Sequence, residues 1–350
     1  MTTPLLRPDI AALEPYVPGD QPGGSGWIKL NTNEHPEVLP GVVEAVRDAL
    51  DERVRLYPDP DCTELREHLS ERYGVPVEQV VVGNGSDELL GLVLRACVDS
   101  GERVVTPYPT YTLYRTLTQI HGAQMLELDS DEQFSLPVEE LIRAGGRVTF
   151  ITHPNAPTGR PVTLDQFAAL CQGLAGVVVA DEAYIDFGAT TALPLLERYP
   201  NLVIMRTMSK GFGLAGLRVG YAFGSPEVIG GLYRVKDSYN VNRLSQAAAI
   251  AALGQYDLAM TTNHELAERR DALAATLEHE FGWRCWPSAA NFLLVEPDSL
   301  PAVDIYTRLR QRRILVRHFG HRRLEDFLRI SVGREADHRA LVTALRELVG

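Results

Sequence analysis

Four segments of the chain carry side chains whose types and spacing suit chemistry. Gly83-Asn84-Gly85-Ser86-Asp87 lies between an apolar triplet, Val80-Val81-Val82, and an amphipathic stretch. Its small residues let the backbone approach a ligand, and a helix start offers free N–H groups to an anion. A tight turn followed by a helix cap would explain the same letters. In His153-Pro154-Asn155-Ala156-Pro157-Thr158-Gly159, prolines and a glycine fix the backbone around Asn155, an amide that can donate and accept. Asp181-Glu182-Ala183-Tyr184 ends the apolar run 177–180. A carboxylate there needs a cation or several donors. Ser209-Lys210-Gly211-Phe212-Gly213 continues through Arg218 to Gly220 and is poor in charge between the lysine and the arginine. A lysine in a partly apolar site can lose its proton and attack a carbonyl. An isolated lysine on a glycine loop is ordinarily solvated and inert.

The elements that must position these segments can be read from hydropathy. Strands are expected at 80–82, 103–106, 148–151, 177–180 and 202–206, and helices at 43–50, 65–73 and 88–98. Thr163-Leu164-Asp165-Gln166 has the form of a capping box opening a helix to about 174. Alternating strands and helices imply a doubly wound, mostly parallel sheet, an α/β fold. In such sheets ligands bind at the strand ends, where all four segments fall. From about 245 the texture changes: helices at 245–253 and 262–281, strands at 291–295, 314–317 and 327–332, and a last helix from 337. The expected organisation is an N-terminal arm (1–40), a large domain (41–250), and a smaller α+β domain (251–350) that the arm joins.

In chain order the segments supply an anion cradle, an amide, a carboxylate, a lysine and an arginine. Pyridoxal 5′-phosphate asks for such a set. Its phosphate needs a helix N-terminus, hydroxyls and an arginine, and its aldehyde needs a lysine. Its ring nitrogen needs a carboxylate to hold the proton that makes the ring an electron sink. Its phenolic oxygen needs a neutral donor such as an asparagine or a tyrosine.

Composition narrows the alternatives. The chain has 350 residues, 45% hydrophobic and 23% charged, with a formal net charge of −12. That balance argues against non-specific binding to nucleic acid or anionic lipid, which needs a basic face. No apolar run approaches the ~18 residues needed to span a bilayer. The first residues have no charged segment followed by a long apolar one, so no secretory signal is expected. Cys62, Cys97, Cys171 and Cys285 are far apart and form no Cys-x-x-Cys pair. This fits reduced thiols in a cytoplasmic protein and gives no support to a metal site.

The chain resembles the fold-type I pyridoxal-phosphate aminotransferases and, more narrowly, the histidinol-phosphate aminotransferase family. The resemblance is carried by Pro15-Tyr16-Val17-Pro18-Gly19, Leu30-Asn31-Thr32-Asn33-Glu34-His35-Pro36, Tyr57-Pro58-Asp59 and Gly83 to Glu88. It continues through Pro109-Thr110-Tyr111, Pro154 to Gly159, Asp181 to Tyr184, Ser209 to Gly220, Tyr239-Asn240-Val241-Asn242, Asn291-Phe292 and Leu328 to Gly333. It implies that Lys210 binds the cofactor aldehyde and moves the substrate proton, and that Asp181 pairs with the ring nitrogen. It implies that Asn155 and Tyr184 bond the phenolic oxygen and Tyr111 stacks on the ring. Gly85, Ser86, Asp87, Ser209 and Arg218 would hold the phosphate. Tyr57 would reach the phosphate of a neighbouring subunit, so a homodimer is implied. Tyr16, Asn33, Arg317 and Arg329 match substrate-contacting positions. The implied activity is transamination between L-histidinol phosphate and 2-oxoglutarate, in histidine biosynthesis.

The chain departs from the family where Asp237-Ser238 precedes Tyr239, where Arg334-Glu335-Ala336-Asp337 follows Gly333, and in His318-Phe319-Gly320-His321. In the family the loop at 237–242 lies near the substrate, and none of these departures touches the cofactor set. They leave open an aromatic amino acid aminotransferase acting on phenylalanine, or a decarboxylase of a phosphorylated amino acid. A non-catalytic sensor has less support, because the chain has no room or basic patch for a DNA-binding module. Arg322 and Arg323 are expected to be solvated.

Overall fold

Valine-rich runs build the centre of the molecule. The computed structural model describes residues 5–349. A short helix α1 (Pro8–Ala11) and strand β1 (Ile28–Lys29) make up the arm, followed by α2 (Val42–Ala49) and α3 (Thr63–Tyr73). Then β2 (Val80–Asn84), α4 (Ser86–Cys97), β3 (Arg103–Tyr108), α5 (Leu113–His121), β4 (Gln124–Asp129) and α6 (Val138–Ala144) alternate. They lead into β5 (Val148–Thr152), α7 (Leu164–Gly173), β6 (Val177–Asp181), β7 (Leu202–Thr207) and β8 (Val219–Phe223). Helices α8 (Pro226–Val235), α9 (Arg243–Leu253) and the long α10 (Tyr256–Phe281) follow. The chain closes with β9 (Arg284–Cys285), β10 (Phe292–Glu296), α11 (Ala302–Gln311), β11 (Ile314–Leu315), β12 (Arg317–His318), β13 (Leu328–Ser331) and α12 (Glu335–Val349).

The large sheet has seven strands in the order β2-β8-β7-β6-β5-β3-β4. All neighbours are parallel except β8, which runs antiparallel to both β2 and β7. The central strands are buried on both faces, as their continuous apolar runs require, with helices on either side. This is the doubly wound α/β sheet expected from the alternation. The capping box is formed: the Thr163 hydroxyl accepts from the Gln166 N–H and the Gln166 amide oxygen accepts from the Thr163 N–H.

A second apolar core joins the arm to the C-terminal part, with Leu30 packed among Leu273, Leu293, Ile305, Ile330 and Leu341. Here four strands pair antiparallel in the order β12-β13-β10-β9. The segment expected as one strand at 314–317 is split at Val316. Ile314 and Leu315 pair parallel to Ile28 and Lys29, whereas Arg317 and His318 pair with β13. The chain changes partners because the arm covers only its first half. Helix α10 begins six residues before the expected 262, since its first turns pack Ala259 into the large-sheet core. Farther along it gives Leu266 to the cluster around Tyr184 and Phe292, then Leu273 and Leu277 to the second core.

Candidate active site

Parallel strands end on one edge, and this edge gathers the site. Thr152 ends β5, Asp181 ends β6, and Thr207 ends β7 three residues before Lys210. β8 runs the other way, so its N-terminal end brings Arg218 to the same edge. There a cavity of about 250 Å³ is lined by Tyr16, Asn33, Ser86, Asp87, Tyr111, Asp181, Tyr184, Ser209, Lys210, Arg218, Arg317 and Arg329, among others. Most of the expected site residues therefore meet in one place. Gly85 and Asn155 stand just behind the lining, and Tyr57 lies outside it.

The cradle is built by close backbone approach. Gly83 and Asn84 pair with Gly220 and Val219. A Cβ on Gly220 would fall 2.4 Å from the Ser86 nitrogen, and one on Gly85 would fall 2.5 Å from an Arg218 Nη2. Helix α4 has no side-chain cap, so its first N–H groups stay open to an anion. Arg218, held at a left-handed φ of 52°, places Nη2 3.0 Å from Asp87 Oδ2 and Nη1 3.4 Å from Ser209 Oγ. The Tyr111 hydroxyl donates to the other Asp87 oxygen at 3.2 Å. Glu88 fixes the loop by accepting from the Asn84 N–H and from Asn240, which explains part of the Tyr239 to Asn242 motif.

Alternation at the end of β6 separates two neighbouring carboxylates. Glu182 turns away to a buried ion pair with Arg206 at 2.9 Å. Asp181 faces the cavity, where burial pushes its carboxyl up to about 6 despite a hydrogen bond from Tyr114. Tyr114, in the first turn of α5, is fully buried, stands edge-on to Tyr111, and was not singled out by the sequence. Lys210 Nζ donates to the Thr32 carbonyl at 3.0 Å and lies 5.6 Å from the Tyr184 ring centre.

The Tyr184 hydroxyl is held by Asn33, whose Nδ2 donates at 3.1 Å. Asn33 is locked in turn by the Ser331 hydroxyl and by Asn291, which donates to its carbonyl. Asn155 gives both Nδ2 hydrogens away, to the Pro109 carbonyl and the Thr158 hydroxyl, and its buried Oδ1 has no partner. On the far wall, Arg329 donates to the Asn31 carbonyl at 2.9 Å, while its shielded Nε has no partner. Burial, with Arg317 close by, lowers the pKa of this guanidinium. Arg317 donates to the Val17 and Pro18 carbonyls and so ties down the arm next to Tyr16. Tyr16 meets Tyr111 edge-on at 6.1 Å.

The unusual segment 318–321 places Phe319 and His321 in the lining. Beside it, Arg322 and Arg323 do more than meet solvent. Arg322 pairs with Asp129 at 2.8 Å and lies over the Tyr108 ring, and Arg323 donates to the Ser130 and Asp131 carbonyls. They clasp the C-terminal part to the ends of β3 and β4.

The fold and this edge define a class of protein: the chain belongs to the class I and II aminotransferase family, whose model matches residues 25–345. Histidinol-phosphate aminotransferase 1 of Trichormus variabilis is 43% identical over 349 residues, covering 99% of each chain. A protein of the same name from Nostoc sp. matches to the same extent. The crystal structure of histidinol-phosphate aminotransferase from Sinorhizobium meliloti, in complex with pyridoxal-5′-phosphate, superposes with a TM-score of 0.90 at 28% identity. That match covers 99% of this chain and 98% of the other. No helix among the described residues is long and apolar enough to cross a membrane. None of their His, Cys, Asp and Glu side chains cluster as a metal site would require.

Proposed function

We propose that the chain is a pyridoxal-phosphate aminotransferase that moves an amino group between L-histidinol phosphate and 2-oxoglutarate. One observation carries this: Lys210, Asp181, Arg218 and Arg329 line a single cavity that also takes in the uncapped start of α4. The residues fit the cofactor. A cradle where a Cβ at Gly85 would collide with the Arg218 guanidinium suits a phosphate, and a deep carboxylate with spare acceptor sites suits a ring N–H.

In this reading the N–H groups of Ser86 and Asp87, with Ser209 and Arg218, hold the phosphate. Asp181 holds the proton on the ring nitrogen, and Tyr111 supplies an aromatic face. Tyr184, oriented by Asn33, donates to the phenolic oxygen. Asn155 joins it by turning its amide, since its free atom here is the acceptor. Bound, the cofactor supplies an aldehyde that carries the amino group and a protonated ring that takes up electrons from the substrate Cα. Lys210 would hold that aldehyde until substrate arrives, and its freed amine would then move the proton from the substrate Cα to the former aldehyde carbon. Arg329 grips the substrate anion, Arg317 holds the arm, and Tyr16 closes over the substrate.

The active unit is a homodimer in this proposal, with the partner subunit's Tyr57 completing the phosphate site. Tyr57 is exposed, stacks on Tyr239 at 4.3 Å, and follows exposed Val43, Leu50, Val54 and Leu56, a surface suited to a second copy. The division into arm (1–40), large domain (41–250) and small domain (251–350) belongs to the same proposal, supported by the two apolar cores. So does a cytoplasmic setting, consistent with four free cysteines.

The test is kinetic. Turnover of histidinol phosphate with 2-oxoglutarate should exceed that of phenylalanine. The reverse order makes the enzyme an aromatic aminotransferase, and release of CO2 from O-phosphothreonine makes it a decarboxylase.

A further inference from the structure

The two oxygens of Asp181 are held unequally. Oδ2 accepts a 2.6 Å hydrogen bond from the Tyr114 hydroxyl, whereas Oδ1 has a 3.3 Å contact from the Ala183 N–H. Tyr114 is itself fixed: it stacks on Phe150 at 4.8 Å and stands edge-on to Tyr111. Its oxygen lies 2.8 Å from Thr152 Oγ1, which lies 3.1 Å from Thr110 Oγ1. An ionised carboxylate can only accept, so the phenol hydrogen goes to Asp181 and the Thr152 hydrogen goes to the phenol. Thr110 then donates to Thr152. The hydroxyls form a chain polarised toward the carboxylate. Tyr114 does not line the cavity and so touches neither cofactor nor substrate.

We propose that Tyr114 is the positioning residue of Asp181, clamping Oδ2 so that the carboxylate stays ionised and directed at the ring nitrogen of the cofactor. The proposal rests on the cofactor reading above. The groups that face Asp181 are Tyr114 on α5, Tyr111 in the loop just before it, Asp87 on α4, Glu182 beside it, and Lys210 across the cavity. Burial, then the carboxylates of Asp87 and Glu182, favour the protonated acid, and the Tyr114 hydroxyl and Ala183 N–H oppose them. A protonated Asp181 gives a ring N–H no charge to pair with.

Tyr114→Phe removes the oxygen and keeps the stacked ring. The full chain, stripped of cofactor, is titrated by fluorescence with pyridoxal phosphate and with its 1-deaza analogue, in which C–H replaces the ring nitrogen. The expected result is about tenfold weaker binding of pyridoxal phosphate, the scale of one hydrogen bond to a charged group. Affinity for the deaza analogue stays equal in the two proteins. Equal loss for both ligands means that Tyr114 merely shapes the pocket, and no loss for either means that it does nothing for Asp181; each overturns the proposal. If the unaltered protein binds neither ligand, the cofactor reading itself falls.

Discussion

Arg329 should trade stability for function. Its guanidinium faces no carboxylate; it donates to one carbonyl, and Nε is shielded without a partner. The Phe292 and Phe319 rings lie 5.2 and 5.6 Å from Cζ. A cation held this way is poorly compensated until an anion arrives. Replacing it with methionine, Arg329→Met, removes two charge-assisted hydrogen bonds to that anion, each about 1.5–3 kcal/mol. The expected fall in kcat/KM is therefore roughly 10²–10⁴. It should appear with glutamate and with histidinol phosphate, because both half-reactions use one pocket. Folding should gain rather than lose. Exchanging a strained buried charge for an apolar side chain is worth about 1 kcal/mol here, the low end of the range, since one edge opens on the cavity. Thermal unfolding of the cofactor-free protein then moves up by about 1–2 °C. A fall of less than tenfold with either substrate refutes the anion anchor. A large fall accompanied by a clearly lower melting temperature shows that Arg329 serves the fold instead.

Lys210→Ala should abolish the shift in cofactor absorbance that accompanies covalent attachment and lower turnover by about 10³-fold or more; retained activity would remove the lysine from the mechanism. Mixing Tyr57→Ala with Lys210→Ala subunits should recover activity, up to about a quarter of normal for random symmetric pairing, and no recovery would mean that Tyr57 does not serve the other subunit. Asp181 has a raised folded-state pKa of about 6, so between the ordinary carboxylate range and that value the native state binds the extra proton. Its contribution to stability is then present at low pH and lost as pH rises, by about 3 kcal/mol. Cofactor-free Asp181→Asn should therefore gain stability over the unaltered chain as pH goes from 4 to 7, followed by thermal melts at each pH; parallel curves would refute the buried-acid assignment.

The cofactor side of the site was legible because each residue sits at a strand end within a short motif. Asp181 closes Val177 to Ala180, and Lys210 follows a strand whose apolar run ends at Met205. What the sequence hid depends on contacts between distant segments. Strand β8 is not among the strands expected from the sequence, because Gly220 interrupts the short apolar run 219–223 and only its partners on both sides complete it. The split at Val316 depends on where the arm ends. Tyr114 falls in a stretch, 107–147, for which no strand or helix is expected from the sequence, and only the fold brings it to Asp181 across 67 positions. Arg322 and Arg323 looked like surface charge, since their partners at 129–131 are invisible along the chain.

Helix α10 has a consequence for how the molecule comes apart. One continuous rod contributes to the large-sheet core at Ala259, to the packing under Tyr184 at Leu266, and to the C-terminal core at Leu273 and Leu277. Loss of either core exposes apolar surface on the same helix and strips support from the other. The two halves are therefore expected to share their cooperativity and to melt as a single calorimetric transition, although each has its own sheet. A swing of the C-terminal core against the large sheet would have to bend that rod.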